Sequence, residues 1–148
     1  MKGSTILVVE DDQALAEALQ DTLVTAGYNV VLAENGRLAL AQLDEASVDL
    51  VVSDINMPQM SGDALLKRVK TLYPDIPVML MTAYGTIEQA VDAMRDGAVD
   101  YMVKPFEAEV LINMVSRYVG NQQEETTMVS VDSSSVELAT IAKRVAAS

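Results

Sequence analysis

The chain of 148 residues contains no cysteine, so disulfides are excluded and a reducing compartment is permitted without being required. It contains no histidine either. Without imidazole or thiolate there is no zinc-type site, and a metal would have to be held by oxygen ligands, which suits magnesium or calcium. Positive charge is scarce: 10 Lys and Arg stand against 22 Asp and Glu, a formal charge of −12. That argues against DNA binding by these residues themselves, because phosphate contacts need clustered cations, and it leaves protein partners open. Long apolar runs are missing too, and the longest falls far below the ~20 residues that a membrane-crossing helix needs. Met1-Lys2-Gly3-Ser4-Thr5 leads straight into a strand-like segment, and no signal peptide is expected.

Half of the residues are hydrophobic, enough for a packed core, and the length fits one domain with an appendage. Ile6-Leu7-Val8-Val9 reads as a buried first strand. A helix follows from about Gln13 to Ala26, with Leu15, Leu19 and Leu23 on one stripe and Gly27 at its end. Tyr28 to Ala33 is a second strand, and Asn35-Gly36 turns into a helix reaching about Ala46. Leu50 to Asp54 is the third strand. Beyond the Pro58–Gly62 loop, a helix covers about Asp63 to Leu72 and stops at Pro74. Pro77 to Thr82 is the fourth strand. Its helix, about Ile87 to Arg95, carries Ile87, Ala90, Val91 and Met94 at i, i+3, i+4, i+7 spacing, the mark of an apolar face. Tyr101 to Val103 is a short fifth strand, and a last helix runs from about Ala108 to Val119 with Val110, Leu111, Met114, Val115 and Tyr118 on its apolar side.

Apolar strands alternating with amphipathic helices call for an α/β fold: a doubly wound parallel sheet covered on both faces. In the flavodoxin-like order 2-1-3-4-5, the first and third strands are neighbours and the order reverses between them, so ligands collect at the carboxyl ends beside that point. Glu10 and Asp11 end the first strand, Asp54 the third, Thr82 the fourth and Lys104 the fifth. Each alone has a structural excuse as a turn former or a cap, but five polar residues at one edge of an apolar sheet make a site.

The chemistry of that set is constrained. Two carboxylates 4 Å apart repel by ~4 kcal/mol at an effective dielectric of 20. Either one stays protonated or a divalent cation sits among them. Magnesium takes one or two carboxylates, waters and a phosphate oxygen. With a carboxylate as nucleophile, the arrangement suits phosphoryl transfer to aspartate. Thr82 can offer a hydroxyl to one phosphoryl oxygen and Lys104 a compact charge to another.

Val-Val-Glu-Asp-Asp, Val-Val-Ser-Asp-Ile-Asn-Met-Pro-Gln-Met-Ser-Gly, Met-Thr-Ala-Tyr-Gly and Tyr-Met-Val-Lys-Pro-Phe resemble, in order, the motifs of the receiver domain of two-component response regulators. The resemblance covers roughly residues 4–120. It implies that Asp54 accepts phosphate from a sensor histidine kinase. It also implies that Mg2+ is bound by Asp11, Asp54 and the main-chain oxygen of Asn56, with Glu10 reached through water and Asp12 outside the site. Thr82 and Tyr101 match the family's switch pair, Lys104 its lysine, and Lys104-Pro105 would be a cis peptide. Glu10 stands where the first Asp is more usual. A homodimer through the surface of helix 4, strand 5 and helix 5 would follow if phosphorylation remodels it, in a cytoplasmic regulator that is not itself an enzyme.

From Gly120 the character changes. Residues 121–135 read as a polar linker, and 136–148 as an amphipathic helix with Leu138, Ile141, Ala142 and Val145 on one face. The stretch Ser-Ser-Val-Glu-Leu-Ala-Thr-Ile-Ala-Lys-Arg-Val-Ala-Ala-Ser resembles the start of the ATPase domain of sigma-54-dependent activators, with a generic linker helix as the competing reading. ATP, DNA and sigma-54 polymerase would then be partners of domains missing here. A stand-alone receiver, another output class, or an aspartyl-phosphate phosphatase are the alternatives. Such a phosphatase needs a second acid two residues after the nucleophile, and position 56 is Asn.

Overall fold

A computed structural model describes residues 3–57, 60–83 and 85–119. The linker and helix read over 121–135 and 136–148, and the loop residues Pro58 and Tyr84, lie outside the described residues. The elements run in strict alternation: β1 (Thr5–Val9), α1 (Gln13–Thr25), β2 (Asn29–Ala33), α2 (Gly36–Glu45), β3 (Leu50–Asp54), α3 (Gly62–Leu72), β4 (Val78–Thr82), α4 (Ile87–Arg95), β5 (Asp100–Val103) and α5 (Ala108–Val119). All pairings are parallel, in the order β2-β1-β3-β4-β5. The doubly wound sheet anticipated from the alternation is the fold observed, with element ends displaced by a residue at most places.

Period-two alternation divides the core into two layers. Ile6, Val8, Leu50, Val52, Met79 and Met81 face Leu19 and Leu23 of α1 and Leu111 and Val115 of α5. Leu7, Val9, Val51 and Leu80 face Ala39 and Leu43 of α2, Leu65, Leu66 and Val69 of α3, and Ala93 of α4. Every residue of β3 and β4 is buried, and each fully buried large aliphatic side chain contributes roughly 1.5–3 kcal/mol. Local chemistry starts and stops the helices. The side chains of Asp12, Asn35, Ser61 and Thr86 accept backbone N–H groups of the first turns of α1, α2, α3 and α4, each such cap being worth about 1 kcal/mol. Gly27 and Gly97, at φ 104° and 108°, supply the left-handed residue just past α1 and α4.

The apolar stripe of α4 does not face the core: Ile87 is 84% exposed, Val91 44% and Met94 48%. Ala93 is the buried residue of this helix. The helical period identifies a stripe without saying which side meets the sheet. Here α4 covers the β4–β5 edge, where contact is narrow and a small residue lets the helix sit close. On α5, likewise, Val110 is 44% exposed while Leu111 and Val115 are buried.

The C-terminal half of α5 is fastened to β5 and to the start of β1. The Tyr118 hydroxyl lies 2.8 Å from Asp100 Oδ2 and 3.0 Å from the Val99 carbonyl, Arg117 stands 3.6 Å from the same carboxylate, and Ser4 Oγ donates to the Val119 carbonyl at 3.2 Å. Burial, then the hydrogen bond to Asp100, raises the Tyr118 phenol above its ordinary 10.0. A folded-state value above the unfolded one means that the contribution is whole below the unfolded value and is lost as pH climbs through the raised one. Tyr118→Phe is therefore expected to cost about 1 kcal/mol near neutrality and to flatten the alkaline decline. Urea unfolding measured in steps through the alkaline range would show both effects, and an unchanged alkaline slope would refute the assignment.

Candidate functional site

The carboxyl ends of the strands bring the polar residues together. Glu10 follows β1, Asp54 is the last residue of β3, Thr82 the last of β4, and Lys104 follows β5. Backbone bonds prolong the sheet just past its edge: Glu10 N donates to the Ala33 carbonyl at 3.0 Å, Ile55 N to Met81 at 2.8 Å, and Lys104 N to Thr82 at 2.7 Å. Each side chain is thus carried on a rigid element. Glu10 is 3% exposed, Asp54 5% and Thr82 0%, so these polar groups are committed to one another rather than to water.

Carboxylate oxygens of Glu10, Asp11 and Asp54 lie within 4.8 Å of one another. Asp11 is exposed at the rim while the other two are buried. Lys104 Nζ answers the charge, 2.8 Å from Glu10 Oε1 and 3.5 Å from Asp54 Oδ2. Burial pushes the Lys104 ammonium down, but its hydrogen bond to Glu10 and the charges of Glu10 and Asp54 together outweigh that and hold it above the ordinary lysine value. Glu10 is raised, first by burial and further by the Asp54 charge, against the opposing pull of Lys104 and the Asp12 N–H. One cation is shared between two buried carboxylates and compensates neither fully. The Glu10–Asp11–Asp54 cluster is all hard oxygen, which fits a small divalent cation and does not fit a soft metal.

Two contacts frame Asp54 from its C-terminal side. The Asn56 backbone N–H lies 3.4 Å from Asp54 Oδ1, and Asn56 Nδ2 donates to Thr82 Oγ1 at 3.1 Å. The Lys104-Pro105 peptide is cis, as anticipated.

The response regulator receiver domain family matches residues 6–116. The chain belongs to that family. Among similar receiver-containing proteins, response regulator protein FleR of Pseudomonas aeruginosa is 47% identical over 149 aligned positions, which cover 99% of this chain and 32% of FleR. The DNA-binding transcriptional regulator NtrC of Salmonella typhimurium is 38% identical over 125 positions, covering 84% of this chain and 27% of NtrC. The chain thus spans about a third or less of the length of these curated relatives. Among solved structures, the receiver domain of NtrX from Brucella abortus aligns with a TM-score of 0.74 at 34% identity, covering 77% of this chain and 97% of that one. Chemotaxis protein CheY4 of Vibrio cholerae aligns at 0.75 and 33%, covering 78% and 98%.

In this receiver domain Tyr101 stands apart from the acid cluster. It is half-buried in β5, and its hydroxyl donates to Gln89 Oε1 of α4 at 3.1 Å. Burial, and then the charge of Asp63, raise its phenol, against the pull of the Thr86 backbone N–H. Sequence reasoning missed Gln89, the side-chain role of Asn56, and Gly62, where any Cβ would meet the Asp54 backbone. It also left Asp12 without a task. That residue caps α1, and an acid directly before a periodic helix is a signal that could have shown it. Among the described residues, no helix is long and apolar enough to cross a membrane.

Proposed function

We propose that this receiver domain takes a phosphoryl group from a sensor histidine kinase onto Asp54 and responds by changing its α4–β5–α5 surface. The observation that carries the reading is a buried carboxylate at a strand end with Lys104 at 3.5 Å, a fully buried Thr82 beside it, and an acid pair within reach. An Asp54 oxygen attacks phosphorus. The phosphorus–oxygen bond forms as the phosphorus–nitrogen bond of the donor breaks, and the imidazole leaves with a proton. Lys104 neutralises charge on the transferred oxygens and Thr82 donates its hydroxyl to another. Asp11, Asp54 and the main-chain oxygen of Asn56 would hold Mg2+, with Glu10 reached through water. Bound there, the cation supplies charge neutralisation and alignment. The chain is an acceptor and not an enzyme turning over a separate ester, since Asn56 offers no acid for that work.

Acetyl phosphate with magnesium should add one phosphoryl group per chain by intact-mass spectrometry, and a chelator should remove the effect. Labelling indifferent to the chelator would overturn the magnesium reading. The exposed Ile87, Val91 and Met94 with Val103 form the apolar face on which a second copy would pack. A phosphoryl mimic is therefore expected to produce dimers in sedimentation. Ile87→Asp should weaken that association about tenfold, the equivalent of ~1.4 kcal/mol. Equal sedimentation with and without the mimic would remove the dimer.

The stretch from Ser134 to Ser148, with an alignment to FleR that covers 99% of the chain, supports a cytoplasmic activator of the sigma-54-dependent class. In that reading ATP, DNA and polymerase contacts belong to other parts of the protein.

A further inference from the structure

We infer that the Asn56 carboxamide is a positioning residue: it sets the direction in which the Thr82 hydroxyl donates, and so presents that proton to a phosphoryl group on Asp54. The inference deepens the phosphoryl-acceptor reading and rests on it. Asn56 is exposed while Thr82 is 0% exposed, and the amide Nδ2 donates to Thr82 Oγ1 at 3.1 Å across 26 positions of sequence. A hydroxyl has one proton to give and lone pairs with which to accept. With a lone pair engaged by the amide, the hydroxyl is held in the donor sense toward whatever else it meets. Phosphoryl oxygens are acceptors, so that polarity is the productive one.

The same residue's backbone N–H reaches toward Asp54 Oδ1 at 3.4 Å. Asn56 therefore spans the acceptor carboxylate and the threonine, joining the loop after β3 to the end of β4. A carboxylate at position 56 would reverse the polarity by accepting the Thr82 proton. A hydrocarbon would take that donor away from the hydroxyl and release the lone pair it engages. Neither change touches the core, because Asn56 projects from an exposed loop position.

The test is a double-mutant cycle read by calorimetric titration of the whole chain with beryllium fluoride, a phosphoryl mimic, in excess magnesium. Asn56→Ala is expected to weaken mimic binding about fivefold, the loss of one neutral hydrogen bond. Thr82→Val, which keeps the branched shape without the hydroxyl, should weaken it by at least as much. Asn56→Ala added to Thr82→Val should cost nothing more. An equal loss from Asn56→Ala in both backgrounds would mean that the amide acts on the mimic directly, and would overturn the inference, as would unchanged or tighter binding by Asn56→Ala. A parent chain that binds no mimic overturns the phosphoryl-acceptor reading itself, and this inference with it. Thermal melting of all four proteins separates these outcomes from unfolding.

Discussion

Asp54→Asn is expected to reduce phosphoryl uptake from acetyl phosphate by a factor on the order of 10³ or more, since removing a nucleophile removes the step and not a contact that assists it. The amide is nearly isosteric with the carboxylate but has no lone pair of comparable basicity. Structure should survive, and thermal stability should hold or rise slightly. Asp54 is one of two buried carboxylates sharing Lys104, and its charge is part of what raises Glu10. Taking it away leaves Lys104 to Glu10 alone, an ion pair of 2.8 Å. Intact-mass spectrometry after incubation with donor and magnesium reads the uptake, and a melting curve reads the fold. Undiminished labelling of the Asn variant would place the acceptor elsewhere in the chain.

Gly62→Ala is expected to damage both stability and uptake, although Ala is the better helix former by ~1 kcal/mol in a helix interior. A Cβ on Gly62 would lie 2.4 Å from the Asp54 carbonyl oxygen and 2.8 Å from Ile55 Cα. Both are backbone atoms, at the end of a strand in which every residue is buried. The Gly62 N–H is also bound to the Ile55 carbonyl at 2.9 Å, so helix and strand end cannot separate without losing that bond. Overpacking of this kind costs roughly 1–3 kcal/mol. Relief of the clash displaces the peptide that carries Asp54, and a shift of ~1 Å in a reacting group can cost ~100-fold in rate. The urea midpoint and the labelling rate of the folded variant check the two effects separately. A variant labelled at the parent rate would show that the strand end absorbs the methyl group without moving the acceptor.

The strand-end residues were legible because they need only local signals. An apolar run ends, a polar residue follows, and sheet order brings the ends of non-adjacent strands together. Glu10, Asp54, Thr82 and Lys104 were placed in this way, and so was the helix stop at Gly27. The orientation of α4 was not legible, since Ile87, Val91 and Met94 have the spacing of a buried stripe and the structure leaves them exposed. Periodicity reports that a face exists, while the neighbours available to cover it depend on the width of the sheet edge. Asn56 with Thr82, and Gln89 with Tyr101, are pairings fixed by three-dimensional proximity. Nothing in the local pattern of either partner announces the other. Gly62 read as the end of the loop before the third helix, whereas it is that helix's first residue, and the sequence could not disclose that its missing side chain leaves room for the Asp54 backbone.

The hydrogen bond from Ser4 to Val119 has a consequence for how a signal travels. It ties the last turn of α5 to the beginning of β1, at the opposite end of the strands from Asp54. A strand of five residues spans ~16 Å at its usual rise. Val119, the last described residue, therefore sits on the side of the sheet remote from Asp54. On the proposed reading, a phosphoryl group on Asp54 would act on Val119 only through the elements between them. A spectroscopic label at Ser4 should accordingly stay silent at a dose of mimic that perturbs one at Ile87.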